Sequence, residues 1–148
     1  MYQRVVVGAL LAASLGMAGL TAPAVRADDK DQAHEQMLKC AKACLDCQKE
    51  CECGFYHCGR LVAEGKKEHA KMMMLCADCA ELCSTAGKLA ARSSPFAPLA
   101  CEACAKSCEA CAECCEKFTD EGHMKGAKAC RDCARECREM IKHLGHGK

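Results

Sequence analysis

Residues 101–115 read CEACAKSCEACAECC. Cysteine recurs at 101, 104, 108, 111 and 115, in steps of 3, 4, 3 and 4. That spacing marks one face of an α-helix, the a/d seam of a heptad, and the Ala, Glu and Lys residues between the cysteines favour helix. The same register returns in three other places: Cys40, Cys44, Cys47, Cys51 and Cys58; Cys76, Cys79 and Cys83; and Cys130, Cys133 and Cys137. Sixteen of the eighteen cysteines fall on a seam. Cys53 and Cys114 do not, although each is close in sequence to one that does.

Working outward from the seams, helical patterning predicts four segments, at 31–61, 67–92, 99–119 and 123–144. Gly65, the SSPFAP stretch at 93–98 and the DEG stretch at 120–122 separate them, and such residues end helices and start turns. No β-branched alternation suggests a sheet. Short links between long helices make neighbours antiparallel. The expected fold is therefore all-α, an antiparallel up-down-up-down four-helix bundle with a Cys-lined core. Met37, His69, Met72, Phe118, Met140 and Leu144 extend the seams, whereas Lys39, Lys42, Asp46, Arg131, Asp132 and Arg135 occupy the opposite faces.

Composition points the same way. Eighteen cysteines in 148 residues is about 12%, above the 8–10% that marks a cysteine-built scaffold. Leu, Ile, Val and Phe make up only about a tenth of residues 28–148, against the fifth or so that an ordinary folded domain contains. Cysteine, and whatever it binds, must fill the interior. The net charge of +1, with no basic patch and no Gly-rich phosphate loop, argues against a nucleic-acid partner. No set of residues suited to catalysis stands out, so an enzyme is not expected.

Residues 1–27 have the pattern of a secretory signal peptide. Arg4 precedes an apolar stretch at 5–20, and TAPAVRA at 21–27 offers small residues before a cut between Ala27 and Asp28. Arg4 stands alone, which makes the signal Sec-type rather than twin-Arg. The expectation is export, to the periplasm or beyond, of a mature chain 28–148. The apolar stretch is shorter than the ~20 residues a membrane span needs, and no other stretch could span a membrane.

The seams narrow the chemistry. A disulfide framework usually has irregular, loop-borne spacing, but facing helices could still bring cysteines to bonding distance. A disulfide-stapled structural or interaction protein therefore stays open as an alternative. Zinc favours closed tetrahedral sites with a turn inside the knuckle. Iron–sulfur ligation and haem attachment need runs that are absent here. Soft thiolate and thioether donors select Cu(I). Pairs at i, i+3 or i, i+4 could each hold an ion, and facing helices could share others. The reading is a store that binds many Cu(I) ions through the sixteen seam cysteines. Cys53, Cys114, His57, His69, Met72, Met73, His123, Met124 and Met37 are further candidate ligands. A low-stoichiometry copper chaperone is a second alternative.

Carried on all four helices, these seams resemble those of the bacterial copper storage proteins, a family of Cys-rich four-helix bundles, over essentially all of 31–144. The resemblance implies a Cys-lined cavity loaded with many Cu(I) ions, assembly into a homotetramer, and Met and His ligands at one bundle end that admit copper. A copper-accepting partner protein would receive the ions. His57, His69, Met72, Met73, His123 and Met124 belong to one end, and His34, Met37, Met140 and His143 to the other. The single Arg4 departs from exported members of the family, which resemble twin-Arg substrates.

Overall fold

A computed structural model of the chain describes residues 27–145, with side chains from residue 31 onward. Four helices account for nearly all of it: α1 (Ala27–Ala63), α2 (Ala70–Ala91), α3 (Ala97–Cys115) and α4 (Glu121–Gly145). Helix α1 packs against α2 and α4, and α3 packs against the same two. The pairs α1/α3 and α2/α4 are therefore diagonals of a four-helix bundle. No strand occurs among the described residues, and no described helix is long and apolar enough to cross a membrane. The expected signal segment lies almost wholly outside the described residues.

The helix ends explain where the sequence boundaries were off. Helix α1 ends in a backbone lock: the Gly65 N–H donates to Val62 O and the Lys66 N–H to Leu61 O, both at 3.0 Å. This geometry needs a left-handed residue at its centre, and Gly65 supplies it with φ 91°. Helix α2 ends in the same way, with Ser93 bonded to Ala90 O and Ser94 to Leu89 O. Here a non-glycine residue, Ser93, takes the positive φ of 50°.

The second segment opens with one 3-10 turn, Lys67–His69, before α2 begins. Helix α3 stops four residues earlier than expected, because Lys117 and Phe118 bond back three residues, to Cys114 O and Cys115 O. Both irregular turns lie at the same end of the bundle. The first turns His69 inward to 8% exposure, and the second turns Phe118 across that end.

Small residues fill the rest of the core. Between the cysteines lie buried Ala41, Ala80, Ala86, Ala105, Ala112, Ala127 and Ala134. Gly87 brings α2 close to α1: a Cβ there would lie 3.1 Å from Leu45 Cγ and 3.2 Å from Cys44 Cβ. Outside, Arg131 makes two 2.9 Å bonds to Glu116, and Arg138 pairs with Glu109. These pairs link α3 to α4, but such exposed bridges contribute little to stability.

Candidate metal centre

The sixteen seam cysteines are all buried, twelve of them at 0% exposure, and all eighteen cysteines are free thiols. Their sulfurs meet on the bundle axis. Cys40 reaches Cys101 across the α1/α3 diagonal at 3.5 Å and Cys137 at 3.7 Å. Cys47 reaches Cys108 at 3.8 Å and Cys130 at 3.7 Å. Cys83 reaches Cys104 at 3.5 Å and Cys133 at 3.9 Å. These are hydrogen-bond contacts, not covalent ones.

Quartets of sulfur follow one another along the axis: Cys40, Cys44, Cys101 and Cys137; Cys44, Cys104, Cys133 and Cys137; Cys47, Cys83, Cys108 and Cys133; and Cys47, Cys51, Cys79 and Cys130. Within each quartet every sulfur is within 4.8 Å of the others. Neighbouring quartets share Cys44, Cys137, Cys133 or Cys47, so the donors form a continuous column rather than isolated sites. The 3-4 spacing is the cause. Each turn of each helix adds one sulfur to the axis, and antiparallel packing keeps the four helices in step.

Beyond Cys51 the column changes character. Cys115 Sγ meets Met72 Sδ at 3.7 Å. Cys58, His69 and His123 then bring their donor atoms within 4.8 Å of one another, all three residues buried. Asp120 orients His123: one carboxylate oxygen accepts the His123 backbone N–H at 3.1 Å and the other contacts ring Nδ1. With Nδ1–H donating to the carboxylate, Nε2 is the free acceptor facing Cys58 Sγ, 3.6 Å away. Carboxylates commonly fix metal-binding imidazoles in this manner. Nδ1 of His69 is buried with no hydrogen-bond partner, and an orphaned donor nitrogen of this kind suits a metal ligand.

The electrostatics are those of crowded thiols. Burial pushes the Cys58 thiol up to about 12, with further repulsion from Cys76, Cys115 and Asp120. Deeper in, the thiols titrate as one coupled set. Cys44 and Cys108 are driven up by hydrogen bonds with neighbouring thiols and by burial. Cys79 and Cys104 are held down because surrounding S–H groups donate to them. A thiolate formed in the column is thus supported by its neighbours, which in turn keep their protons. Burial alone would raise Asp120, but its bonds to His123 bring it below the ordinary carboxylate range.

The remaining candidates divide. Met37 is buried, as is Met140. Met73 is partly buried against the core. Met124 is 53% exposed. Of the two off-seam cysteines, Cys53 is exposed and Cys114 buried; the charge of Cys114 contributes to raising Cys58. His57 lies at the rim of the His cluster, its ring 5.4 Å from that of His123. Sequence reasoning missed Asp120, which it read only as turn. Its signal was an Asp immediately before a helix and three residues before a His, the N-cap position.

The copper storage protein family profile matches residues 27–142. The chain belongs to the copper storage protein family. Family membership and donor chemistry agree, since a column of soft sulfur selects Cu(I) and the overlapping quartets give it several places per chain. No curated protein matches the sequence.

Among solved structures, the chain is similar to apo copper storage protein 3 from Bacillus subtilis, at 35% identity and TM-score 0.61, covering 70% of this chain and 96% of that one. It is equally similar to a Cu(I)-bound copper storage protein, at 35% identity and TM-score 0.62, covering 69% and 94%. A cytosolic copper storage protein from Streptomyces lividans, with five coppers, shares the fold at 24% identity and TM-score 0.69, covering 76% and 97%.

That comparison corrects the expectation of export. The Streptomyces relative is described as cytosolic, and the periplasmic or secreted location does not stand. The expectation rests on sequence pattern alone, in residues that lie almost wholly outside those described.

Proposed function

We propose that residues 28–148 form a store that holds many Cu(I) ions per chain, with the sixteen seam cysteines as principal ligands. Cys58, His69 and His123, with Met72 beside them, would make a mixed site at one end, where copper is admitted. The observation that carries this reading is the chain of quartets with shared members, which a one-ion carrier would not need. Thiolates neutralise the positive ions they bind, so many charges can be buried together. Storage serves copper buffering, supply or detoxification, and no catalytic step is assigned.

Anaerobic titration of the reduced chain with Cu(I) against a chromogenic chelator tests the reading. Binding of about ten or more ions before free Cu(I) appears is expected. Saturation near one equivalent would indicate a chaperone instead. A homo-oligomer, a tetramer by family resemblance, and a copper-accepting partner protein complete the proposal. Exposed Leu38, Leu45, Phe55 and Tyr56 on α1 offer apolar surface for such contacts.

A further inference from the structure

An imidazole serves as a ligand only when its ring is turned the right way. Its donor lone pairs lie in the ring plane, and rotation about χ2 is broad and roughly two-fold. A cysteine sulfur, set by χ1 alone, has no such requirement. His123 owes its orientation to Asp120. His69 has no counterpart to that carboxylate: its Nδ1 is buried without a hydrogen-bond partner. What meets the His69 ring is Phe118.

The phenyl stacks on that imidazole, with ring centres 4.4 Å apart and planes 23° from parallel. The same phenyl lies 4.5 Å from the His123 ring, tilted by 33°. The two imidazoles are themselves 5.3 Å apart, so the three rings form one group. Aromatic pairs at such separations attract beyond what their buried area gives. Contact through ring faces also leaves the in-plane nitrogens uncovered, free for a metal.

Phe118 and Asp120 belong to one short link, residues 116–120, between α3 and α4. The Phe118 N–H donates to Cys115 O at 2.9 Å, which fixes the start of that link. His69 comes from a different link, the 3-10 turn before α2. The protein's other phenylalanines, Phe55 and Phe96, are exposed, whereas Phe118 packs against the core. Filling the end of the bundle needs only apolar bulk, which Leu75, Leu82 and Leu89 supply elsewhere against the same core. A flat ring against two imidazoles adds orientation.

We propose that Phe118 is a positioning residue for the mixed site: its ring holds the His69 imidazole, and supports that of His123, so that both present nitrogen to a Cu(I) ion shared with Cys58. This rests on the reading of Cys58, His69 and His123 as a copper site. Phe118 supplies no donor atom. It acts by fixing ring planes before the ion arrives, so that less ordering is left to binding. One link thus supplies a carboxylate for one imidazole and a phenyl for the other.

The test is NMR of the reduced, 15N-labelled full chain, following the histidine ring nitrogens anaerobically as chelator-buffered Cu(I) is raised. Cu(I) is diamagnetic, so the shift of a ligated nitrogen is read directly. Phe118→Leu keeps the apolar bulk and removes the ring face; Phe118→Tyr keeps the ring. In the Leu variant the His69 and His123 nitrogens should need about tenfold more free Cu(I) to shift, as for other groups that orient a metal ligand, while the Tyr variant stays within about twofold of wild type. An unchanged response in the Leu variant, or equal weakening in both, would overturn the proposal while leaving the copper site in place. A second readout needs no variant to fold: nuclear Overhauser contacts between the Phe118 and His69 ring protons in the copper-free wild-type chain, whose absence also overturns the proposal. Wild-type nitrogens that do not shift at any free Cu(I) would instead overturn the mixed site, and the proposal with it, even where the cysteines hold many ions.

Discussion

Asp120 holds one end of the metal column in order. It caps α4 and fixes the His123 ring. Asp120→Ala should cost about 1 kcal/mol of apo stability through the lost cap, measured by chemical denaturation. It should also weaken copper binding at the Cys58–His69–His123 site about 10- to 100-fold, read by competition with a chelator at low copper. Cys58 sets a pH limit. Its folded thiol titrates near about 12, well above an unfolded cysteine at about 8.5. Between those values the unfolded chain loses a proton that the folded chain keeps, so apo stability is fully present below about pH 8.5 and declines above it. Denaturation midpoints at pH 7 and pH 10 check the sign. The seam cysteines were legible in the sequence because helical spacing alone commits them to one face. The grouping of His69 with His123 was legible only as a shared bundle end. Their approach depends on a 3-10 turn and an early stop to α3, and neither turn has a periodic signature.

The helices owe their pairing to small residues as much as to sulfur. Gly87 lets α2 approach α1, and its neighbour Cys44 Cβ cannot move without shifting the α1 backbone. Gly87→Val should therefore destabilise the apo bundle by about 1–3 kcal/mol through overpacking, seen as a lower thermal midpoint. The end of α2 carries the opposite opportunity. Ser93 occupies a left-handed conformation, φ 50°, that costs a side chain roughly 1–2 kcal/mol. Ser93→Gly should recover about 0.5–1 kcal/mol of that, net of the exposed contact to His34, and raise the midpoint. Helix number, order and direction all followed from the sequence. The boundaries shifted by one to four residues because the chain ends its helices with local backbone bonds. Ser93 could not be foreseen in that role, since glycine is the usual choice.

As a whole the molecule links proton, metal and fold. Thiols that are largely protonated when empty must give up protons on binding. Loading a weakly buffered sample with Cu(I) should therefore acidify it, and the pH should stop falling when the thiols are exhausted; a pH electrode during the titration tests this. The fold itself rests on Cys and Ala where most proteins use Leu and Val. An empty column buries little aliphatic surface, while each ion ties several helices together. This reaches beyond binding to how long the chain survives. A protease acts on chains that open, and a ligand that binds only the folded form reduces their number. Empty chains should be cleared and full ones spared, so that the abundance of the protein follows the copper it carries without any dedicated sensor.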